Sequence, residues 1–306
     1  MKATRTAAVL LVLCVPCGGL PAAEREASAK RPRLIVAPHS GPWELRIVEP
    51  GKNDSTALPI GLDRPIFPSW RDRGRRLVFT SNASGRFQIY TIDAAGGAAR
   101  NLTGTATEED QPACSPDGSR ILFTSNRDGN REIYVMDSDG KNQVNLTNNP
   151  GFDSDSAWSP DGKRIAFASD RSGKGFHLMV MNADGSEPRN LIDRNLGGML
   201  YPCWSPDGQQ VAFSCLVASD VLRLYVANSD GAGMQELTDG TGMNCYPCWS
   251  PDGRYLAYVY FPRHPDQSPE GGRLMLIDLE AGTTSEFGDK APRVTASRMA
   301  WLPEEE

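Results

Sequence analysis

The sequence predicts an all-β fold: a six-bladed β-propeller of four-stranded antiparallel blades, closed by a blade shared between the two chain ends. Three observations predict it. The tetrapeptide Ser-Pro-Asp-Gly occurs at 115–118, 159–162, 205–208 and 250–253, with successive offsets of 44, 46 and 45 residues. Each copy is followed by two β-patterned runs. The two ends of the chain each carry the part of a repeat that the other lacks. Four strands in about 45 residues is the size of one propeller blade.

In chain order, residues 1–23 come first. Lys2 and Arg5 precede an apolar run from Ala7 to Val15, and small residues end at Ala23. This reads as a secretory signal peptide, with export to the periplasm or beyond. The run is too short for a transmembrane helix, which needs about 20 residues, and no later segment qualifies. Leu13 and Pro16 stand where lipidation of Cys14 or Cys17 wants a small residue, so no lipid anchor is expected. Removing 1–23 takes two positive charges and no negative ones, moving the net charge from −6 to −8. An acidic chain is a poor partner for nucleic acid, whose affinity rests on phosphate attraction. Residues 24–32 form a polar tail, 33–303 the propeller and 304–306 an acidic end.

Within the propeller, a degenerate turn, Arg71-Asp72-Arg73-Gly74, lies 44 residues before the first full copy. The residue preceding each turn is Trp70, Cys114, Trp158, Trp204 and Trp249. After the turns come "RLVFTS", "RILFTS", "RIAFAS", "QVAFSC" and "YLAYVY", then "FQIYTID", "EIYVMD", "HLMVMN", "RLYVAN" and "RLMLID". Short fourth strands follow in four copies, as "NLT", "NLT", "NLI" and "ELT". At the C-terminal end "RMAWLP" supplies an entering strand with Trp301 and nothing after it. At the N-terminal end "RLIVAP", "WELRIVEPG" and "TALPIG" supply the other three. The signature residues have structural work. Proline presets the first turn position, Asp117, Asp161, Asp207 and Asp252 bond the backbone two residues on, and glycine accepts positive φ. Trp70, Trp158, Trp204, Trp249 and Trp301 wedge between blades.

The W-S-P-D-G turn, the "EIYVMD-x-DG" strand and the "NLT" segment, recurring in register over about 33–303, resemble the TolB family and the Pro-Asp class of propeller repeats. The resemblance implies a periplasmic propeller that binds a protein without catalysis; in that family the partner is an envelope lipoprotein docked over the channel. The α/β domain that precedes the family's propeller has no counterpart between the leader and the first strand.

Candidate binding residues follow from strand order. Loops joining fourth strands to the next first strand, and second strands to third, emerge on one face. That face carries Glu108, Glu109, Asp110, Asp153 and Asp155 in two acidic clusters. It also carries His39, and a long insertion, 261–272, with Arg263, His264 and Asp266. The carboxylates are expected at the channel mouth, attracting a basic segment of a protein partner or holding Ca²⁺ through oxygens. No spaced calcium loop is present, so no cofactor is required. Three histidines fall short of a metal-binding pattern, and no nucleophile, zinc-protease or phosphate-loop motif occurs. The reading is a non-catalytic protein-binding propeller; the alternative is an enzyme or carbohydrate-binding propeller acting on glycans or peptides at the same mouth. Cys114, Cys203, Cys215, Cys245 and Cys248 leave an odd thiol after export. Cys245-x-x-Cys248 lacks the helix N-terminus that activates a redox pair. Cys215 and Cys245 are the candidate pair should a disulfide form, whereas Cys203 and Cys248, equivalent positions in separate blades, are expected to lie too far apart.

Overall fold

The computed structural model describes residues 33–303 other than 41–42, 53, 194–195, 263, 268–269 and 289–290. The leader, the two tails and the candidate residue Arg263 therefore lie outside the described residues. The architecture is built up from the repeated turn. Ser115 Oγ donates to Asp117 Oδ1 at 2.6 Å and accepts the Arg120 amide at 2.9 Å, while Asp117 Oδ1 accepts the Ser119 amide at 3.0 Å. The same set recurs at Asp161, Asp207 and Asp252. Gly118, Gly162, Gly208 and Gly253 sit at φ of 71°, 68°, 70° and 72°, where a side chain would be strained. The degenerate turn has no Ser-Pro to preset it and instead holds Asp72 and Arg73 at φ of 54° and 53°.

Each turn joins the first two strands of an antiparallel sheet. In the second repeat Glu109–Cys114, Arg120–Ser125, Glu132–Asp137 and Val144–Asn145 pair in that order. The first repeat (Ile66–Arg71 onward) and the third (Asp153–Trp158 onward) follow the same plan. The fourth, entered by Met199–Trp204, and the fifth, entered by Met243–Trp249, do so as well. A single parallel pairing of Leu222 with Met243 links these two sheets. The fifth repeat also has a fourth strand, Thr283–Glu286, which no "NLT"-like signature marked. In the sixth sheet Ala300–Trp301 pairs with Leu34–Val36, followed by Arg46–Val48 and Ser55–Ala57. Its register sets Leu34 opposite Trp301 and Ile35 opposite Ala300. Each entering strand touches the next, and Ala300–Trp301 touches both Met243–Trp249 and Ile66–Arg71.

Apolar side chains from neighbouring sheets mesh in six clusters. Val78 and Ile89 of the first repeat meet Ile121 and Phe123 of the second. Leu122 meets Trp158, Ile165 and Phe167 of the third. Four of the five tryptophans wedge as expected, and Trp70 packs at the edge of its cluster. Trp158 Nε1 donates to Ala113 O at 3.1 Å and Trp301 Nε1 to Cys248 O at 2.9 Å, so the wedge also ties one repeat's backbone to the next. The Arg120 and Arg164 guanidinium groups lie 4.8 and 4.7 Å from the centres of Trp158 and Trp204. No helix among the described residues is long and apolar enough to cross a membrane.

The cysteines differ from expectation in one respect. All five described cysteines are free, and Cys215 and Cys245 do not pair. The reason is the side to which each points. Cys215 packs in the cluster between the third and fourth sheets, and Cys245 in that between the fifth and sixth. Cys203 and Cys248 also pack against different clusters, their sulfurs 3.8 Å from Trp204 O and 3.5 Å from Met299 O.

The turns predict an acid-sensitive component of stability. Hydrogen bonds from Ser115 and Ser119 hold the Asp117 carboxyl down at about 2, and Asp161 and Asp207 are lowered by their Ser159 and Ser205 bonds in the same way. A carboxylate lowered on folding contributes stability above its unfolded value of about 3.9, and loses it as pH falls through the folded value. Replacing all three with Asn should lower the urea midpoint at pH 7. The difference from wild type should shrink between about pH 4 and pH 2. A pH-independent difference would count against this account.

Candidate functional site

The sequence-predicted carboxylates are brought to one end of the entering strands, but most do not face solvent. Glu109 and Asp153 are 0 % exposed. Glu109 Oε1 accepts the Thr105 and Thr107 hydroxyls at 2.7 and 2.8 Å, and its Oε2 lies 3.0 Å from Arg127 NH2. That contact is an ion pair without hydrogen-bond alignment. Asp153 Oδ2 accepts Arg171 NH2 at 3.1 Å and also Asn149 Nδ2. The arginines come from the second-to-third hairpins and lie over the rings of Phe123, Tyr134 and Phe167. Asp110 is bound by Arg131 at 2.6 Å, yet burial outweighs that cation and raises its pKa. Glu108 is the most open of the five, accepting the Phe87 amide at 2.8 Å, with Arg86 3.9 Å away. The expected acidic rim is therefore corrected. Glu109, Asp110, Asp153 and Asp155 are paired or buried within the scaffold, because a carboxylate packed beneath a loop needs its charge met there.

Asp155 belongs to a feature the sequence reading missed. Phe67, Gln111, Asp155, Tyr201 and Tyr246 occupy the same position in five entering strands, and all have φ between 52° and 58°. The register shifts there in every one of these strands, turning the side chain toward the space they enclose. Left-handed backbone in non-glycine residues costs about 1–3 kcal/mol each and collects at functional sites. Gln111 Nε2 donates to Asp155 Oδ1 and Gln111 Oε1 accepts the Asp155 amide, both at 3.0 Å. The Tyr201 and Tyr246 rings lie 4.1 Å apart. From the opposite side, Arg298 reaches across to donate to Ser156 O at 2.7 Å, with Asp155 4.0 Å away. Burial raises the Asp155 pKa against the opposing pull of Arg298 and Arg131. The signal that could have found this column is its variability: three residues before each tryptophan or its counterpart, the otherwise repetitive sequence reads Phe, Gln, Asp, Tyr, Tyr.

Toward the Ser-Pro-Asp-Gly turns, the enclosed space opens into a cavity of about 410 Å³, lined by Trp70, Arg71, Asp72, Ala113, Ala157 and Arg298 among others. A second, about 570 Å³, lies between the fourth and fifth repeats, with Glu236, Asp239, Asn244, Tyr258, Tyr260 and Arg273 in its walls. Among the described residues no three His, Cys, Asp or Glu side chains gather as a metal-binding group. His39 packs against Gly271 at the base of the 261–272 insertion, while His264 lies beside Asp266 at 3.4 Å. The Arg293–Val294 segment runs between, its carbonyls accepting the His39 and Gly272 amides. These candidates share a face without converging on one point.

That face is also where apolar side chains emerge. Of the six large hydrophobic residues exposed among the described residues, five stand at that end: Trp43, Phe152 and Leu196 in loops, and Leu216 and Val217 at the end of the strand Gln210–Ala218. Phe152 (48 % exposed) immediately precedes the entering strand of the third repeat. Leu196 and Leu216 lie on segments joined by the Leu216 amide donating to Gly198 O at 2.8 Å. Arg64 lies over both Trp43 and Phe87, at 4.9 and 5.6 Å.

The buried pairs and the open one should respond differently. Arg171→Leu leaves Asp153 charged and unmatched, and should destabilise by about 3–5 kcal/mol. Arg86→Leu, facing Glu108 at the surface, should stay within about 1 kcal/mol. Urea unfolding of the two variants checks this, and equal effects would contradict the burial assignment.

Residues 106–196, spanning the second and third repeats, match the family described as the TolB beta propeller domain. No curated protein matches the chain. Among solved structures, TolB from Acinetobacter baumannii is similar over 90 % of this chain and 67 % of its own, at 22 % identity and a TM-score of 0.73. The putative TolB from Agrobacterium tumefaciens is similar over 90 % and 100 %, at 19 % identity and a TM-score of 0.67. An oligogalacturonate lyase in complex with manganese is similar over 84 % and 72 %, at 17 % identity and a TM-score of 0.55. With the family match on residues 106–196 and the fold shared over nine-tenths of its length, the chain resembles the TolB β-propeller.

Proposed function

We propose that this is a non-catalytic, periplasmic or secreted propeller of six blades, closed by the blade its two ends share, that binds a protein partner on its loop-rich face. One observation carries the docking assignment: five of the six exposed large apolar side chains stand on that face. Soluble proteins seldom gather exposed apolar side chains on one face without a use for them. The buried carboxylates support a modified picture of recognition. Their charges are met by Arg127, Arg131 and Arg171, so apolar contact rather than acid-driven steering holds the partner. An envelope protein segment fits the likeness to TolB. The catalytic or carbohydrate-binding alternative draws on the likeness to the lyase and on the cavity between the fourth and fifth repeats. A manganese site like the lyase's finds no support in the described residues, where no such ligand group forms.

The paired change Phe152→Asp and Val217→Asp tests the docking face, with Lys163→Glu on the opposite turns as control. Proteins retained from an envelope extract by each immobilised form are identified by mass spectrometry. The partner kept by wild type and by the control should be lost from the double variant, chiefly through faster dissociation. Retention by the double variant with loss from the control would reverse the assignment.

Closure has its own test. Trp301 is buried and bonded to Cys248 O in the neighbouring repeat. Trp301→Ala should therefore destabilise the whole domain by about 3–5 kcal/mol in a single unfolding transition. An unchanged melting temperature would sink the shared-blade reading.

A further inference from the structure

Arg127 occupies a slot in the second repeat that recurs, with other contents, around the molecule. Its guanidinium lies 3.0 Å from Glu109 and donates from Nε to Ser125 Oγ at 2.9 Å. It also covers the rings of Phe123 and Tyr134, at 5.5 and 4.6 Å. In the third repeat Arg171 does the same with Asp153, Ser169 and Phe167. Strand register identifies the counterparts in the fifth repeat. Asn244 stands opposite Tyr260 as Glu109 stands opposite Ser125, and Tyr258 opposite Met275 as Phe123 opposite Tyr134. Pro262 holds the place of the arginine, two residues beyond Tyr260. Asn244, Tyr258, Tyr260 and Met275 all line the cavity of about 570 Å³ between the fourth and fifth repeats. The fourth repeat also lacks the arginine, but there Met199 is buried in one cluster with Phe213 and Tyr225 and fills the slot. Asn244 does not fill it. The residue is 4 % exposed and its Nδ2 donates to Leu222 O at 2.8 Å, while no donor among the described residues reaches its Oδ1. Of the charged residues in the wall, Glu236 is paired with Arg223 at 3.0 Å and Arg273 with Glu286 at 3.2 Å. The exposed Asp239 carboxylate is the one left unmatched among the described residues of that wall.

We propose that this cavity binds a guanidinium group from outside the chain, the group that the second and third repeats supply themselves from Arg127 and Arg171. An aromatic wall, an amide acceptor at depth and one unmatched carboxylate suit a planar cation with several donors. The guanidinium bonds Asn244 Oδ1 and lies against Tyr258 and Tyr260, as Arg127 lies against Phe123 and Tyr134. Asp239 meets its charge. A neutral ligand, a sugar among them, would use the tyrosines and the amide and leave that carboxylate unanswered. The same chemistry is presented by a free arginine derivative and by an arginine side chain of a protein partner.

The test isotope-labels the methionine methyl groups of the folded full chain and titrates two probes by NMR: N-acetylarginine amide and a glycine-flanked arginine pentapeptide. The Met275 resonance, assigned through Met275→Leu, should shift saturably with both. The citrulline analogue of each probe, in which a neutral urea replaces the guanidinium, should bind at least about tenfold more weakly. Asp239→Asn should weaken the arginine probes about threefold. Tighter binding of the pentapeptide assigns a partner's side chain as the source, and tighter binding of the single residue a free ligand. Arg263 is the arginine of the 261–272 hairpin, and Arg263→Ala should leave both affinities unchanged. An unshifted Met275, equal binding of the citrulline probes, or tighter binding to Arg263→Ala, which would show the chain's own arginine competing for the cavity, would each overturn the proposal. Neither Phe152, Val217 nor an envelope extract enters the measurement, so it and the docking test can fail separately.

Discussion

Every sheet in this molecule is apolar on both faces, and the rest of the structure follows from that. In Arg120–Ser125, Ile121 and Phe123 face the first repeat while Leu122 faces the third. In the fourth repeat Val211 and Phe213 face backward and Ala212 forward, and in the fifth Leu256 and Tyr258 face backward and Ala257 forward. A sheet that must bury both faces needs a neighbour on each side, so an open row would leave two faces wet. Among the described residues, six clusters join side chains of neighbouring sheets. This is why the second strands read as nearly continuous apolar runs rather than alternating ones.

The same arrangement draws the entering strands together, and close approach there determines what can happen at the axis. At their left-handed positions Gln111 meets Asp155 and Tyr201 meets Tyr246, and Arg298 reaches the third repeat at Ser156 O. The same Arg298 lines the cavity on the turn side.

Much of the fold was legible because repetition lets a weak local pattern be read several times. The turns, the order of strands and the complementary ends all followed from the Ser-Pro-Asp-Gly period. The burial of Glu109 and Asp153 was not legible from the acids alone. Their arginines stand in the hairpin beyond the next strand, at Arg127 and Arg171, and only strand pairing brings them beneath it. The repeats held a clue. In the fourth repeat Met199 occupies the place of Glu109 and Asp153 opposite Cys215, and no arginine follows in that hairpin. Acid and base disappear together, as the halves of a buried pair should.

The fourth repeat also differs in the parts that reach the loop-rich face. Its second and third strands, Gln210–Ala218 and Val221–Asn228, run longer than the six-residue strands of the first three repeats. They carry Leu216 and Val217 out where Arg127 and Arg171 fold back elsewhere. Losing the ion pair frees the hairpin from the scaffold, and lengthening it presents apolar side chains beside Leu196. A scaffold position and a surface position thus differ together: the arginine that pairs with a carboxylate in the second and third repeats is absent where the fourth repeat's strands run longer. The proposed docking on this face therefore rests on where the repeat pattern breaks rather than on its charges.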